Sequence, residues 1–207
     1  MKLVDRVRLD RVKVDRVKRI LLSPRTEWAV IDAERATPAA LYTGYIAPLA
    51  AIGPVAQLIG NSVLGNPTPF GVRERAPFGS ALLGAILSYA LMLAGTYLLA
   101  LIIDALAPTF SAQRSKIQAL KLAAYSLTAV WLAGTFALIP ELRPLGLLSL
   151  YSLFLLYVGL PVLMKPAGDN TLPYTVVVVV AGFVLFLIIG SVAGRFTGIP
   201  HAWVTMP

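Results

Sequence analysis

The stretch VVVVVAGFVLFLIIG, residues 176–190, contains no charged side chain. A run of β-branched valines suits a buried strand in a water-soluble protein. Here the valines continue into a longer apolar run, and lipid requires that backbone N–H and C=O groups be satisfied within the segment. The sequence therefore predicts a membrane-spanning helix at residues 172–193.

Four further segments are long and apolar enough to cross about 30 Å of hydrocarbon. Prolines mark their edges, since Pro38 and Pro173 suit a first helical turn while Pro108 and Pro140 follow predicted helix ends. The spans are predicted at residues 39–60, 78–106, 117–139 and 145–164. With 57% hydrophobic and 14% charged residues, the composition lies outside the range of soluble proteins. We expect an all-α integral membrane protein with five transmembrane helices.

The cations indicate the orientation, because Lys and Arg near helix ends favour the cytoplasmic side. The cations of the N-terminal tail fall on one side together with Arg114, Lys116, Lys121 and Lys165. The other side receives only Arg73, Arg75, Arg143 and Arg195. This asymmetry predicts a cytoplasmic N-terminus and an external C-terminus. The expected parts are a basic and amphipathic cytoplasmic segment at residues 1–38, a five-span domain at 39–193 and a short external tail at 194–207.

The N-terminal tail reads VDRVRLDRVKVDRVKRILL at residues 4–22 and repeats Asp-Arg-Val from Asp5, Asp10 and Asp15. A cytoplasmic leaflet is anionic and attracts such cations. Nucleic-acid binding is disfavoured, because residues 1–27 contain no aromatic side chain for base stacking. A protein partner and a purely topogenic charge remain the alternatives. The predicted contacts with the membrane surface are Arg6, Arg8, Arg11, Lys13, Arg16, Lys18 and Arg19.

A second amphipathic element follows in SPRTEWAVIDAERATP, residues 23–38. Ser23 can cap a helix and Pro24 can occupy its first turn. The helix has a weak apolar side that includes Trp28. We expect it to lie in the membrane interface with Trp28 at headgroup depth.

Three stretches resemble the bacterial branch of the Yip family: LLSPRTEWAVIDAERATPAALYTGYIAPLAAI at 21–52, YSLTAVWLAG at 125–134 and LYSLFLLYVGLPVLMKP at 150–166. Eukaryotic members of this family are membrane proteins associated with Rab-type GTPases in vesicle traffic. The resemblance implies a five-span protein of the bacterial inner membrane with a cytosolic N-terminus. It implies no chemistry.

Ionisable groups inside a span are functional candidates by default, and Asp104 in LLALIIDALAP is the clear case. Arg114, Lys116 and Lys121 are near in sequence, so an interfacial ion pair is the favoured interpretation. A proton relay or a cation site is the alternative.

The first span is the least regular of the five, with several glycines and prolines, and Gln57 and Asn61 lie at its external end. Broken helices can line a transport site. They also occur where a span packs closely on its neighbours, and we favour that interpretation.

Small residues at four-residue spacing allow helices to approach closely in lipid. They occur in the third span at Ala129, Ala133 and Ala137, and in the fifth at Gly190 and Gly194. The pattern favours packing within the bundle, with self-association as the alternative.

Residues suited to catalysis are few. His201 is the single histidine and there is no cysteine, which excludes a histidine-pair metal site and a thiol nucleophile. Asp32 and Glu34 are two residues apart and do not face each other on a helix. We predict a non-catalytic membrane protein without a cofactor, which binds anionic lipids, another membrane protein or a second copy of itself. The alternative is a transporter or channel for a small solute or ion that uses the first span and Asp104.

Overall fold

The computed structural model describes residues 14–67 and 72–196. Five helical segments in these ranges are long and apolar enough to cross a membrane. Two shorter helices precede them: α1 covers residues 14–22 and α2 covers Pro24–Ala33. The five long segments are α3 (Pro38–Leu64), α4 (Phe78–Phe110), α5 (Lys116–Leu138), α6 (Glu141–Leu163) and α7 (Thr171–Phe196). The predicted all-α membrane fold with five spans is confirmed.

Part of the predicted N-terminal segment and most of the predicted external tail, including His201, lie outside the described residues. The first two Asp-Arg-Val copies fall there as well. So do four of the cations expected at the membrane surface, Arg6, Arg8, Arg11 and Lys13.

The five spans run alternately up and down, so their connections gather at two ends of the bundle. At the N-terminal end, where α1 and α2 lie, the α4–α5 connection meets the α6–α7 connection through the bond from Gln113 N to Met164 O, 2.7 Å. At the opposite end, the short antiparallel strands β1 (Asn66–Pro67) and β2 (Arg73–Glu74) join α3 to α4. Arg143 at the start of α6 donates to Asn66 Oδ1 there, at 2.7 Å.

Helix α3 is irregular, as its glycines and prolines predict. It contains π-helical turns at Tyr42–Ile46 and Gly60–Leu64. Pro48 and Pro54 supply no backbone donor, which interrupts the regular hydrogen bonding of the helix. Bonds to α4 hold the helix in place: the Tyr42 hydroxyl donates to Leu93 O at 3.0 Å and the Tyr89 hydroxyl donates to Ala47 O at 3.1 Å.

Helix α5 is the central element of the bundle. In its most apolar stretch 67% of the residues are buried, compared with 28% or less in each of the other spans. The Tyr45 hydroxyl on α3 lies 2.7 Å from the Thr128 hydroxyl on α5, and the rings of Tyr45 and Tyr125 are 4.6 Å apart. A satisfied buried polar contact of this kind specifies how two spans meet. Since α5 is shielded on most sides, the elements that cover it determine which surfaces remain free.

Candidate functional site at the N-terminal end of the bundle

Helices α1 and α2 form a hairpin, and two acidic side chains hold it together, Glu27 on α2 and Glu34 directly after it. Arg16 on α1 pairs with Glu27 and with Glu34, and Arg19 Nε donates to Glu27 Oε2 at 3.0 Å. The side chains of Arg16 and Glu27 are only 11% and 4% exposed. Burial of Arg16 acts to lower its pKa, but the hydrogen bond and charge of Glu34, together with the charge of Glu27, hold that pKa above its ordinary value. The guanidinium therefore stays cationic inside the hairpin.

This pairing corrects one sequence-based prediction. Arg16 was expected to contact the membrane surface, but its charge is directed inward to two carboxylates and its guanidinium lies 6.0 Å from the centre of the Tyr125 ring. A buried cation needs paired anions, because leaving it unpaired in a medium of low polarity costs several kcal/mol. The repeated Asp-Arg-Val pattern gave no indication of which arginine would meet them.

Trp28 lies on the inner side of the hairpin and is fully buried. Its indole packs on α6 at Gly159, where an added Cβ would stand 2.5 Å from the indole ring. It also meets Tyr125 edge to face, with ring centroids 6.2 Å apart. The expectation that Trp28 sits among lipid headgroups is therefore wrong for this structure. The groove at Gly159 buries the apolar area of the indole more completely than the membrane interface would.

The C-terminal end of α2 is attached to the bundle through polar contacts. Lys121 on α5 donates from Nζ to Ile31 O at 2.8 Å and to Glu34 O at 2.6 Å. These carbonyls end a helix, where a cation is favoured by unsatisfied acceptors and by the helix dipole. Asp32 accepts from Gln118 Nε2 at 2.6 Å and pairs with Lys165 Nζ at 3.0 Å. Asp32 and Lys121 thus attach the hairpin to the bundle.

The hairpin extends along α6. Its turn is held by Tyr151, whose hydroxyl donates to Leu21 O at 2.8 Å. Tyr151 is the first residue of the α-helical part of α6 and Leu163 is the last, so the hairpin follows that helix for about 18 Å. Lys18 and Arg25 are exposed on this hairpin, and no described residue pairs with either cation.

Asp104 lies near the C-terminal end of α4, which is at the hairpin end of the bundle, and is 4% exposed. Its Oδ2 accepts from Arg114 Nη2 at 3.3 Å, which confirms the predicted ion pair with a nearby cation. Lys121 does not contribute, because it is bound to α2. No described residue donates to Oδ1.

The structure does not bring the other two predicted polar residues to Asp104. Asn61 is at the opposite end, where its Oδ1 accepts from Arg143 at 3.0 Å. Gln57 is exposed one turn earlier on α3 and lines a cavity between the spans. The three residues therefore do not form one intramembrane site.

The predicted small-residue positions on α5 lie in packed surroundings. Ala129 and Ala133 are buried, and the Ala137 carbonyl lies 2.5 Å from the position of a Cβ added at Gly60 on α3. A second close approach involves a residue that the pattern missed, Gly134, where an added Cβ would stand 2.7 Å from Gly53 Cα. Packing of α3 on α5 thus accounts for the glycines of the first span.

The predicted packing at the end of the fifth span is not found at Gly190. A Cβ added there would have no atom within 4 Å, so this glycine faces open space. The surroundings of Gly194 lie outside the part of the structure that describes side chains.

The chain matches the Yip1 domain over residues 18–189. The chain belongs to the Yip1 family. Relatives include the inner membrane protein YohC of Escherichia coli strain K12, with 28% identity over 156 residues, 73% of this chain and 80% of the relative. YohC of Escherichia coli O6:H1 is similar to the same extent. No solved structure matches the chain.

The Yip1 match begins inside α1 and includes all of α2, so the docked hairpin lies largely within the matched domain. Sequence reasoning missed Glu27, Gly159 and Lys121 as the residues that dock it. Glu27 lies one residue before Trp28, but adjacent residues on a helix do not face each other, so the position of one did not predict that of the other. The partners on α5 and α6 had no signal in local sequence.

Proposed function

We propose that this Yip1-family protein is a non-catalytic component of the bacterial inner membrane that binds and organises anionic lipids at its cytoplasmic surface. The observation that carries this proposal is the docked hairpin. Buried ion pairs with Glu27 hold α1 and α2 against the bundle, while Lys18 and Arg25 remain exposed and unpaired among the described residues. A fixed cationic surface loses little conformational entropy when it meets headgroups.

The relatives are named as inner membrane proteins, which supports the inner membrane as the location. The cation asymmetry of the sequence supports a cytoplasmic N-terminus and an external C-terminus. In this orientation the hairpin and the basic residues before it face the anionic leaflet. Each cation near such a surface contributes about 1 kcal/mol, and salt weakens the contribution.

The lipid-binding set differs from the one expected from sequence. Arg16 is left out of the proposed set because it is paired inside the hairpin, and Trp28 is left out because it is buried. Arg19 is half-exposed and shares Glu27. The proposed set consists of Arg6, Arg8, Arg11, Lys13, Lys18, Arg19 and Arg25.

Lipid enrichment around the full-length protein tests the proposal. The chain has no cysteine, so Ser23→Cys at the exposed hairpin turn allows a single donor fluorophore to be attached. Energy transfer is then measured to acceptor-labelled phosphatidylglycerol or phosphatidylcholine in vesicles that contain both lipids. We expect more transfer to phosphatidylglycerol, a decrease with salt, and a decrease when residues 2–13 are deleted.

Two matched controls make the result specific. Arg25→Gln should lower transfer to phosphatidylglycerol, whereas Arg75→Gln, which removes an exposed cation at the opposite end, should not. Scrambling residues 2–13 at constant composition should preserve the enrichment. Equal transfer to both lipids would contradict the proposal. Loss of enrichment on scrambling would replace anionic lipid with a sequence-specific partner, such as another membrane protein or a second copy.

A further inference from the structure

A cavity of about 490 Å³ lies between α3, α4, α5 and α7, away from the hairpin. Its lining is mostly apolar and includes glycines from all four helices. These glycines are Gly53, Gly95, Gly134, Gly182 and Gly190. An apolar cavity does not hold water stably, so its natural occupant is apolar.

The cavity is elongated along the bundle and opens to the side. On α4 its lining extends from Ser88 to Leu99, which is about 16 Å along the helix axis. Phe186 and Gly190 on α7 line the cavity and are also exposed. The opening thus lies on a membrane-spanning helix, where the surrounding solvent is hydrocarbon. An elongated apolar cavity with a lateral opening fits an acyl chain.

Among the polar side chains that line this cavity, which include Ser88 and Thr96, Gln57 carries the one amide. Gln57 is exposed, and no described residue bonds its amide. An unsatisfied amide at membrane depth is unfavourable, so Gln57 requires a partner from outside the described chain. Asn61, one turn further along α3, already belongs to the polar network of the opposite end through Arg143. Gln57 therefore lies one helical turn further into the span than this polar network, within reach of the ester groups of a lipid whose headgroup lies beside the network.

We infer that this cavity binds one acyl chain of a phospholipid from the leaflet at the opposite end of the bundle, and that the Gln57 amide donates to its ester carbonyl. The acyl chain passes Gly190 and lies between α4 and α7 beside Gly182. Added atoms at Gly182 would come within 3.4 Å of Leu99, so side chains here would fill the space. This site is independent of the cationic surface proposed above, which lies at the other end.

The experiment uses the full-length protein in nanodiscs of phosphatidylethanolamine. A fraction of the lipid carries a photoreactive diazirine in the middle of one acyl chain, and a second preparation contains a diazirine-labelled alkane. Cross-linked residues are identified by mass spectrometry after illumination. In the wild type we expect the phospholipid probe to label lining residues, such as Met92 and Leu185, more than the exposed apolar residues Leu147 and Phe183.

Three variants distinguish the steps of the inference. Gly190→Leu places its side chain in open space, so it should fold, fill the opening and abolish the selective labelling by both probes. Gly79→Leu is the matched control, since it is also a helical glycine with nothing within 4 Å, and it should label as the wild type does. Gln57→Leu should reduce labelling by the phospholipid about fivefold, as expected for loss of one hydrogen bond, and leave alkane labelling unchanged.

Other outcomes would overturn the inference. Equal labelling of lining and exposed residues would show that no acyl chain is held. If Gln57→Leu leaves the selective labelling by the phospholipid probe unchanged, the contact between the Gln57 amide and the lipid ester is excluded. If Gly190→Leu instead converted an oligomer to a monomer, as measured by the mass of the protein in nanodiscs, the occupant would be a second copy. Circular dichroism and elution volume identify variants that fail to fold.

Discussion

The indole of Trp28 lies on the backbone of Gly159, so closely that a Cβ added at Gly159 would stand 2.5 Å from the ring. This contact joins the hairpin to α6 at the end of the bundle where the polar attachments of Asp32 also lie. A tryptophan that the sequence assigns to the membrane surface thereby becomes an internal anchor. The docking of the hairpin is consequently the property that mutations can test most directly.

Gly159→Ala should weaken this docking. The new methyl group overlaps the buried indole, and overpacking of this kind costs about 1–3 kcal/mol. We expect faster tryptic cleavage after Lys18 and Arg19 in detergent-solubilised protein, together with a lower unfolding temperature. Gly146→Ala is the control, because a Cβ there has no atom within 4 Å. Equal cleavage rates in the two variants would contradict the packing described for Trp28.

Glu27→Gln should also release the hairpin. Glu27 is buried and accepts from both Arg16 and Arg19, and a hydrogen bond to a charged group contributes about 2 kcal/mol. The matched control is Glu141→Gln, which disrupts the Arg73–Glu141 pair at the opposite end. Both members of that pair are about half exposed, and exposed pairs contribute at most about 1 kcal/mol. The same proteolysis assay should respond to Glu27→Gln alone, and a response to both variants would point to a general loss of stability.

Asp104→Asn separates the proposed function from transport. The ion pair with Arg114 and the close packing of α3 on α5 support a structural role for both features. In proteoliposomes loaded with ion-sensitive dyes, we expect the wild type and Asp104→Asn to show the same background leak. A solute- or ion-dependent flux in the wild type that the variant loses would make transport the better interpretation.

Reporter fusions test the orientation. A reporter that is active only outside the cytoplasm should work when fused after Pro207 and fail when fused after Pro108. A reporter that is active only in the cytoplasm should give the reverse pattern. An exchange of the two patterns would mean that the orientation is inverted, and cytoplasmic activity of both fusions would mean that the number of spans is not five. The glycine- and proline-rich α3 would then be the first segment to re-examine.

The number and order of the spans could be predicted because each depends on local composition. A segment such as residues 176–190 must satisfy its own backbone in lipid, so its neighbours do not affect the assignment. The predicted edges agree closely with the structure, as at residues 78–106, where the α-helix runs from Phe78 to Leu106. The Asp104–Arg114 ion pair could be predicted for the same reason, because both residues lie near the C-terminal end of α4.

The direction in which each side chain of the N-terminal segment points could not be predicted from local sequence. A cation near a membrane surface can meet headgroups or a carboxylate, and Arg16 meets Glu27 and Glu34 because the hairpin folds back. The sequence shows that Pro48 lacks a backbone donor, but it does not show that Gly53 lies close to Gly134. Such contacts depend on how helices from distant parts of the chain align.

By itself, the sequence determined that this chain spans a membrane five times and carries more than half of its Lys and Arg residues before the first span, because hydropathy and charge act locally. Only the tertiary structure decided that Trp28 is an anchor rather than a membrane contact, and that Lys121 binds the end of α2. It likewise decided that Gly190 borders open space rather than a packed helix. The physical reason is that burial and ion pairing depend on surfaces that exist only after α5, α6 and the hairpin have assembled.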